Sequence, residues 1–440
     1  MQNYKHKGNF ELALREMQND TNNAVSHVFS DGLISQNPSN TILKDVVFTI
    51  KDVFATKDAK TQASSKILLN FQPGYNATVV SKLLDASAKA VSKVHNDELA
   101  LGGTGTYSGF GLITNPLDPK RLVGGSSSGS AATMTKNVGL ALGSDTGDSV
   151  RLPASYNGLV GFKPSYGAIS RYGMFAYASS LDTVAYFTHD VSDTIEVARA
   201  TYGLDDKDMT TKEVELPVNQ SLKPAKVLAL DLSEFCQDFV NSAYSNALNK
   251  LKENNIAVEV IKPNLDILRA INIVYRVVSF SEASSNLANL NGVAFGNRVE
   301  KDTWQDIMHS TRSTHFGQMV QERLALGSYF LYTENQQEVF IKAQKARTVI
   351  ANYLNSLHEQ ADVVIYPAFA SIAPLLDEDT SQYDVMNYIL TGANLAGNPS
   401  ITIPLGTYND LPFNLAIDAK RYNDAKLLSY ALYIQGLIKE

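Results

Sequence analysis

Gly124–Gly-Ser-Ser-Ser-Gly-Ser130, answered by Gly143–Ser-Asp-Thr-Gly-Asp-Ser149, is the pair of stretches that decides how this chain is read. The first sets Ser126, Ser127 and Ser128 between glycines and runs into the helix-compatible Ala131–Ala-Thr-Met-Thr135. The second leads through small residues to Ser149 and then to Val150–Arg-Leu-Pro153. Glycine lets the backbone enter positive φ and approach a ligand closely, and consecutive N–H groups in such turns form an anion-binding concavity. A serine facing that concavity has a nucleophile beside donors for an oxyanion, the two needs of acyl transfer. It lacks a base.

Other readings fail on the neighbouring residues. A Gly/Ser linker is not flanked by apolar residues such as Val138–Gly-Leu-Ala-Leu142. Gly124 and Gly129 have phosphate-loop spacing, but Ser130 and Ala131 stand where Lys and then Ser or Thr are required. Neither serine cluster has the Gly-x-Ser-x-Gly spacing of a nucleophile elbow. No histidine is singled out for a Ser-His-Asp triad.

The two motifs together resemble the amidase signature family. The resemblance implies a Ser–cis-Ser–Lys triad, in which Ser149 takes the place of the acylated nucleophile and Ser126 that of the cis-serine. The family's lysine closes an apolar strand about a hundred residues earlier. Lys51, in Val46–Val-Phe-Thr-Ile-Lys-Asp-Val-Phe54, stands 98 residues before Ser149. A strand-end lysine ordinarily keeps its ammonium in water; burial behind Val46, Val47, Phe48 and Ile50 would disfavour the charge and make it a base. Backbone N–H groups of Thr146, Gly147, Asp148 and Ser149 are the candidate oxyanion donors. Asp148 departs from the family, which has glycine there; its carboxylate opposes an oxyanion unless the side chain points away. Only 23 residues separate Ser126 from Ser149, one fewer than the family's usual spacing.

Composition sets the frame. The chain has 440 residues, 44% hydrophobic and 19% charged, as in an ordinary globular protein with a large core. A formal net charge of −7 argues against its holding a polyanion by itself. Cys236 is the only cysteine, so there is neither an intrachain disulfide nor a cysteine zinc site. The seven histidines show no metal-ligand spacing, and no metal is expected. Met1–Gln-Asn-Tyr-Lys-His-Lys-Gly8 lacks an apolar core and no run is long enough for a membrane span. The expectation is a soluble cytoplasmic protein.

Along the chain, Phe10, Leu12, Leu14, Met17, Val25 and Val28 suggest an amphipathic helix over 9–35, followed by a strand over 45–50. Residues 55–75 are turn-rich, and 77–92 read as a helix. After residue 190, helices (192–202, 237–254) alternate with strands (226–231, 257–261). Residues 264–360 read as mainly helical, strands return at 362–366, 400–404 and 412–417, and a helix spans 424–438. Alternation of this kind predicts an α/β fold with a mostly parallel sheet and helices on both faces. With the resemblance, the expected architecture is one amidase-signature domain over 1–440: a mixed, mostly parallel central sheet, with about 264–360 as a helical layer over the site.

Further stretches resemble the family's tRNA-dependent branch: Lys93–Val-His-Asn-Asp-Glu-Leu-Ala-Leu-Gly-Gly103, Gly158–Leu-Val-Gly-Phe-Lys-Pro-Ser-Tyr-Gly167, Ser281–Glu-Ala-Ser-Ser-Asn-Leu-Ala288, Glu322–Arg-Leu-Ala-Leu-Gly327 and Asn394–Leu-Ala-Gly-Asn-Pro399. Asn289 and Asn291 depart from the Arg and Asp common there. This branch implies a glutaminase subunit that hydrolyses glutamine and supplies ammonia to partner subunits B and C, for conversion of Glu-tRNA(Gln) to Gln-tRNA(Gln). It implies no cofactor in this chain, ATP and Mg²⁺ used by the partner, tRNA held through the partner, and no membrane. Arg323 falls where the branch holds the glutamine carboxylate, and the acidic residue for the amine falls at Asp384 or near Asn387. Two other readings stay open: a stand-alone amidase of a small amide, and an inactive interaction subunit, for which Asp148 is the argument.

Overall fold

In the computed structural model, which describes residues 4–439, the apolar run before Lys51 is a strand buried on both faces. It belongs to a sheet of eleven strands: β1 (Val25–Leu33), β2 (Val47–Lys51), β3 (Lys89–Val94), β4 (Leu140–Asp145), β5 (Val160–Lys163), β6 (Thr183–Thr188), β7 (Lys226–Leu230), β8 (Ala257–Ile261), β9 (Val363–Pro367), β10 (Ser400–Tyr408) and β11 (Leu411–Asp418). Their order is β1-β3-β2-β4-β6-β5-β10-β11-β9-β7-β8. The strand period of two divides the side chains between two cores. Phe48, Ile50, Leu140 and Leu142 enter the larger one. Val47, Val91, Ala141 and Ala185 face Ala13 and Met17 of the helix Phe10–Gln18.

The fold is α/β and the sheet mixed, but the expected parallel majority is corrected. Among the described residues six pairings are antiparallel and four parallel. One of the antiparallel pairings, β10 with β11, is a hairpin closed by the two-residue turn Asn409–Asp410, with φ of 50° and 64°. Positive φ at both positions is what a tight hairpin requires, and Asn and Asp tolerate it.

Two expected helices are also cut short. The helix over 9–35 ends at Gln18: the Asp20 carboxylate accepts from the N–H groups of Asn22, Ala24 and Val25, turning the chain into β1. The helix over 77–92 ends at Asp85, Ser87 takes a φ of 69°, and β3 begins at Lys89. In both places β-branched valines, which favour extended backbone, joined the sheet: Val25 and Val28 in β1, Val91 and Val94 in β3.

The parallel trio β3, β2 and β4 matters most for chemistry. Strands that run the same way end at the same edge, where open α/β sheets place their ligands. Lys51 ends β2, Asp145 ends β4, and the chain leaving β3 reaches Asp97 three residues on. Helices Leu265–Asn286, Trp304–His315, Gln318–Leu331 and Lys342–His358 make up most of the 264–360 segment. Gly327 lets two of them touch, since a Cβ there would overlap the Phe280 carbonyl. No helix among the described residues is long and apolar enough to cross a membrane.

Candidate active site

Lys51 is fully buried, and its Nζ donates to three hydroxyls: Ser126 Oγ at 2.8 Å, Ser144 Oγ at 2.9 Å and Ser127 Oγ at 3.0 Å. Burial pulls its pKa down to about 7, against the opposing pull of Asp97, Asp145 and Asp182. A near-neutral amine hydrogen-bonded to serines is equipped to take a hydroxyl proton.

The serine loop is shaped to meet it. The Gly125–Ser126 peptide is cis. Gly124 takes a φ of +82°, and its Cα faces Pro153 so closely that an added Cβ would sit 2.8 Å from the proline backbone. Gly125 N–H donates to the Gly103 carbonyl, and the Ser126 carbonyl accepts from Asp97 N–H. Asp97 accepts three further N–H bonds, from Thr104, Gly105 and Tyr107. Burial nevertheless holds its carboxyl above the ordinary range.

Ser149 lies in the same knot of chain, its carbonyl 3.2 Å from the Ser127 N–H that donates to it. Thr146, Gly147, Asp148 and Ser149 lie between the end of β4 and the helix Arg151–Asn157, outside both ladders. Arg151 fixes this turn from beneath. Its guanidinium grips Asp145 through Nε at 3.1 Å and Nη2 at 2.9 Å, and also donates to the carbonyls of Gly147 and Leu390 and to Ser400 and Asn394. Burial opposes charge on Asp145, but Arg151 outweighs it and holds the carboxyl below its usual range. A fork of fixed donors fully engaged in this way is a rigid anchor. From the other side, Thr146 Oγ1 donates to Asp182 at 2.7 Å. Burial pushes Asp182 up to about 6, against its hydrogen bonds from Thr146, Ala178 and Tyr177 and the pull of Arg171.

A cleft of about 630 Å³ opens over the turn, lined by Gly147, Asp148, Tyr275, Arg323, Asp384 and Asn387 among others. Arg323 reaches it from the helix Gln318–Leu331; its Nη1 donates to Tyr177 Oη at 3.2 Å and its guanidinium lies 5.1 Å from the Phe280 ring centroid. Asp384, with a φ of 41°, also lines the cleft, but its carboxylate is held by Arg269 at 2.9 and 2.7 Å. Asp148 faces the cleft; burial and the adjacent Asp145 push it up to about 7, with Arg151 and Arg323 pulling the other way.

Lys51 and Ser126 are thus joined directly, Ser149 is tied to them through the Ser127 backbone, and Gly147 and Asp148 line the cleft together with Arg323 and Asp384. Sequence reasoning missed the supporting set. Asp145 and Arg151 stood inside the second motif and Asn394 inside a quoted stretch, so their types were a usable signal. Ser144 as a third lysine partner and Asp182 as the anchor of Thr146 carried none.

Known proteins share this fold. The model of the amidase family matches residues 15–428, and the chain belongs to that family. Within it, the chain is 36% identical over 414 residues to the A subunit of glutamyl-tRNA(Gln) amidotransferase from Natranaerobius thermophilus, covering 90% of this chain and 82% of that protein. It is 38% identical over 399 residues to the protein of the same name from Heliobacterium modesticaldum, covering 88% and 82%. The crystal structure of the Thermotoga maritima counterpart, also an A subunit of glutamyl-tRNA(Gln) amidotransferase, superposes with a TM-score of 0.81 at 31% identity, over 98% of this chain and 91% of that one.

Proposed function

We propose that this chain is the glutamine-hydrolysing subunit of a cytoplasmic glutamyl-tRNA(Gln) amidotransferase. The observation that carries the reading is the buried Lys51 amine, with a pKa of about 7, at 2.8 Å from Ser126 Oγ. In this reading Ser149 Oγ attacks the side-chain carbonyl carbon of glutamine. Its proton passes to Ser126 Oγ as the Ser126 proton passes to Lys51 Nζ. The oxyanion accepts from the N–H groups of Thr146, Gly147 and Asp148, in the manner of preorganised donors aimed at developing charge. The carbon–nitrogen bond then breaks, the relay returns its proton to the nitrogen, and ammonia leaves. Water attacks the glutamyl ester by the same relay run again, freeing glutamate and Ser149. Arg323 holds the substrate carboxylate, a pairing suited to a guanidinium fork.

Ammonia then passes to partner subunits B and C, where ATP and Mg²⁺ activate Glu-tRNA(Gln) and the product is Gln-tRNA(Gln). The relatives' names and the net charge of −7 support this division, since tRNA phosphates call for clustered Lys and Arg. The test is covalent. Intact-mass analysis with a slowly deacylating amide should show an adduct on Ser149, and ammonia release from glutamine should rise when the partners, ATP and Glu-tRNA(Gln) are added. An adduct on Ser126 or Ser127 overturns the nucleophile. Full activity on varied amides without any partner hands the chain to the stand-alone amidases.

A further inference from the structure

A zwitterionic amino-acid substrate needs an anionic partner for its ammonium group as well as a cationic one for its carboxylate. Asp384 and Asn387, the two positions the family resemblance offers, are both compromised. The Asp384 carboxylate already receives two hydrogen bonds from Arg269, so its charge is neutralised within the protein. Asn387 carries no charge, and its Nδ2 donates to the Thr380 carbonyl. Asp379, also in the cleft wall, accepts from the N–H and Oγ of Ser381 as a turn cap. Asp148 is different. Among the described residues it meets no ion-pair or hydrogen-bond partner for its carboxylate, it lines the cleft, and Arg323 lies near enough to act on its charge.

We infer that Asp148 is the amine-binding residue of this cleft, selecting with Arg323 a substrate that carries both an ammonium and a carboxylate. The inference rests on the glutaminase reading and adds to it how the substrate is recognised. It also explains how a carboxyl is accommodated beside an oxyanion site. In the free enzyme burial keeps part of its charge off near neutral pH. A bound ammonium draws it to full ionisation while cancelling the charge, so the field at the oxyanion stays close to that of a neutral side chain. The backbone N–H of the same residue stays available to the oxyanion.

The test compares glutamine with glutaramate, which keeps the carboxylate and the side-chain amide but lacks the amine. Ammonia release is measured for the chain assembled with its partner subunits, in the wild type and in Asp148→Asn, Asp148→Gly and Asp384→Asn. A site built to bind a substrate N–H group rejects an analogue without it, so the wild type should favour glutamine in kcat/KM by roughly 100-fold or more. Both Asp148 variants should lower that ratio by roughly tenfold or more, chiefly through a higher KM for glutamine. Asp148→Gly restores the family's residue and guards against a folding artefact, with the thermal midpoint checked for each variant. A ratio unchanged in both Asp148 variants overturns the inference. A ratio that collapses in Asp384→Asn alone overturns it too and moves the amine to Asp384. If the wild-type assembly releases no ammonia from glutamine, the glutaminase reading fails, and this inference with it.

Discussion

Lys51 shows how one residue type serves two opposite ends. Its aliphatic stem lies among core residues, and its amine ends in a cluster of hydroxyls that do not compensate a full charge, so burial dominates. If the neutral amine is the base, kcat/KM for glutamine should climb about tenfold per pH unit below about 7 and flatten above it. Asp148 titrates in the same range, so the profile should be repeated in Asp148→Asn. Persistence of the limb assigns it to Lys51; its disappearance assigns it to Asp148. Lys51→Arg should lose about 10²–10⁴-fold in turnover although charge is kept, because a guanidinium does not deprotonate in proteins. Near-normal activity would mean the position supplies only charge. The same shift has a stability consequence. Between about 7 and the ordinary lysine range, the unfolded chain binds a proton that the native site rejects. The group therefore disfavours folding at neutral pH, and less so as pH rises through that window.

At the scale of elements, the site depends on two joints. Arg151, the first residue of its helix, ties the end of β4 to the start of β10 and to the helix Gly392–Ala396 through Asp145, Ser400 and Asn394. Removing one partner of a buried ion pair costs about 3–5 kcal/mol, so Arg151→Ala should lower the urea midpoint sharply and deplete folded protein. Arg151→Lys, which keeps charge without the fork, should fold better but place the oxyanion turn poorly, lowering kcat more than it raises KM. An Arg151→Ala protein of wild-type stability would refute the anchoring role. The second joint is Gly327. An alanine there must push the helix Gln318–Leu331 off the Phe280 carbonyl, and Arg323 rides on that helix. Gly327→Ala should therefore raise KM for glutamine and leave acylation of Ser149 by a small neutral amide much less affected. Equal effects on both substrates would show a general loss of structure instead.

For the whole molecule, charge decides what the chain holds. A net charge of −7 gives the chain as a whole no attraction for an RNA. Filter binding at low and moderate salt should find negligible retention of tRNA by the chain alone. Tight, salt-sensitive binding would refute the division of labour, since such a slope counts phosphates neutralised by this chain's own Lys and Arg. The cleft lies where three parallel strands end and the helices beyond Leu265 close over the turn. Arg323 and Ser149 thus sit on separate layers, one on the helix Gln318–Leu331 and the other on the turn after β4.

Sequence by itself determined which residues are the candidates for the chemistry. Ser126 and Ser149 could be nominated because glycine-framed serines are a local pattern, and Lys51 because the family resemblance calls for a lysine closing an apolar strand; the structure joins Lys51 to Ser126. Each serine pattern is set by what its immediate neighbours permit. Most elements after residue 190 were legible for the same reason. The sheet's mixed sense was not, because pairing direction follows from which strands meet; the one local clue was Asn409–Asp410. Strand β1 hid inside a helical reading because Val25 and Val28, three apart, fit a helical period, and its register against β3 is irregular; the first residues of β3 fell inside the expected helix over 77–92. Only tertiary structure decided that Lys51 is buried enough to titrate near 7. Only it showed Asp384 spent on a neighbouring arginine, and Asp148 left as the cleft carboxylate without a protein partner among the described residues. Desolvation and charge pairing are sums over atoms far apart in the chain, and no local pattern contains them.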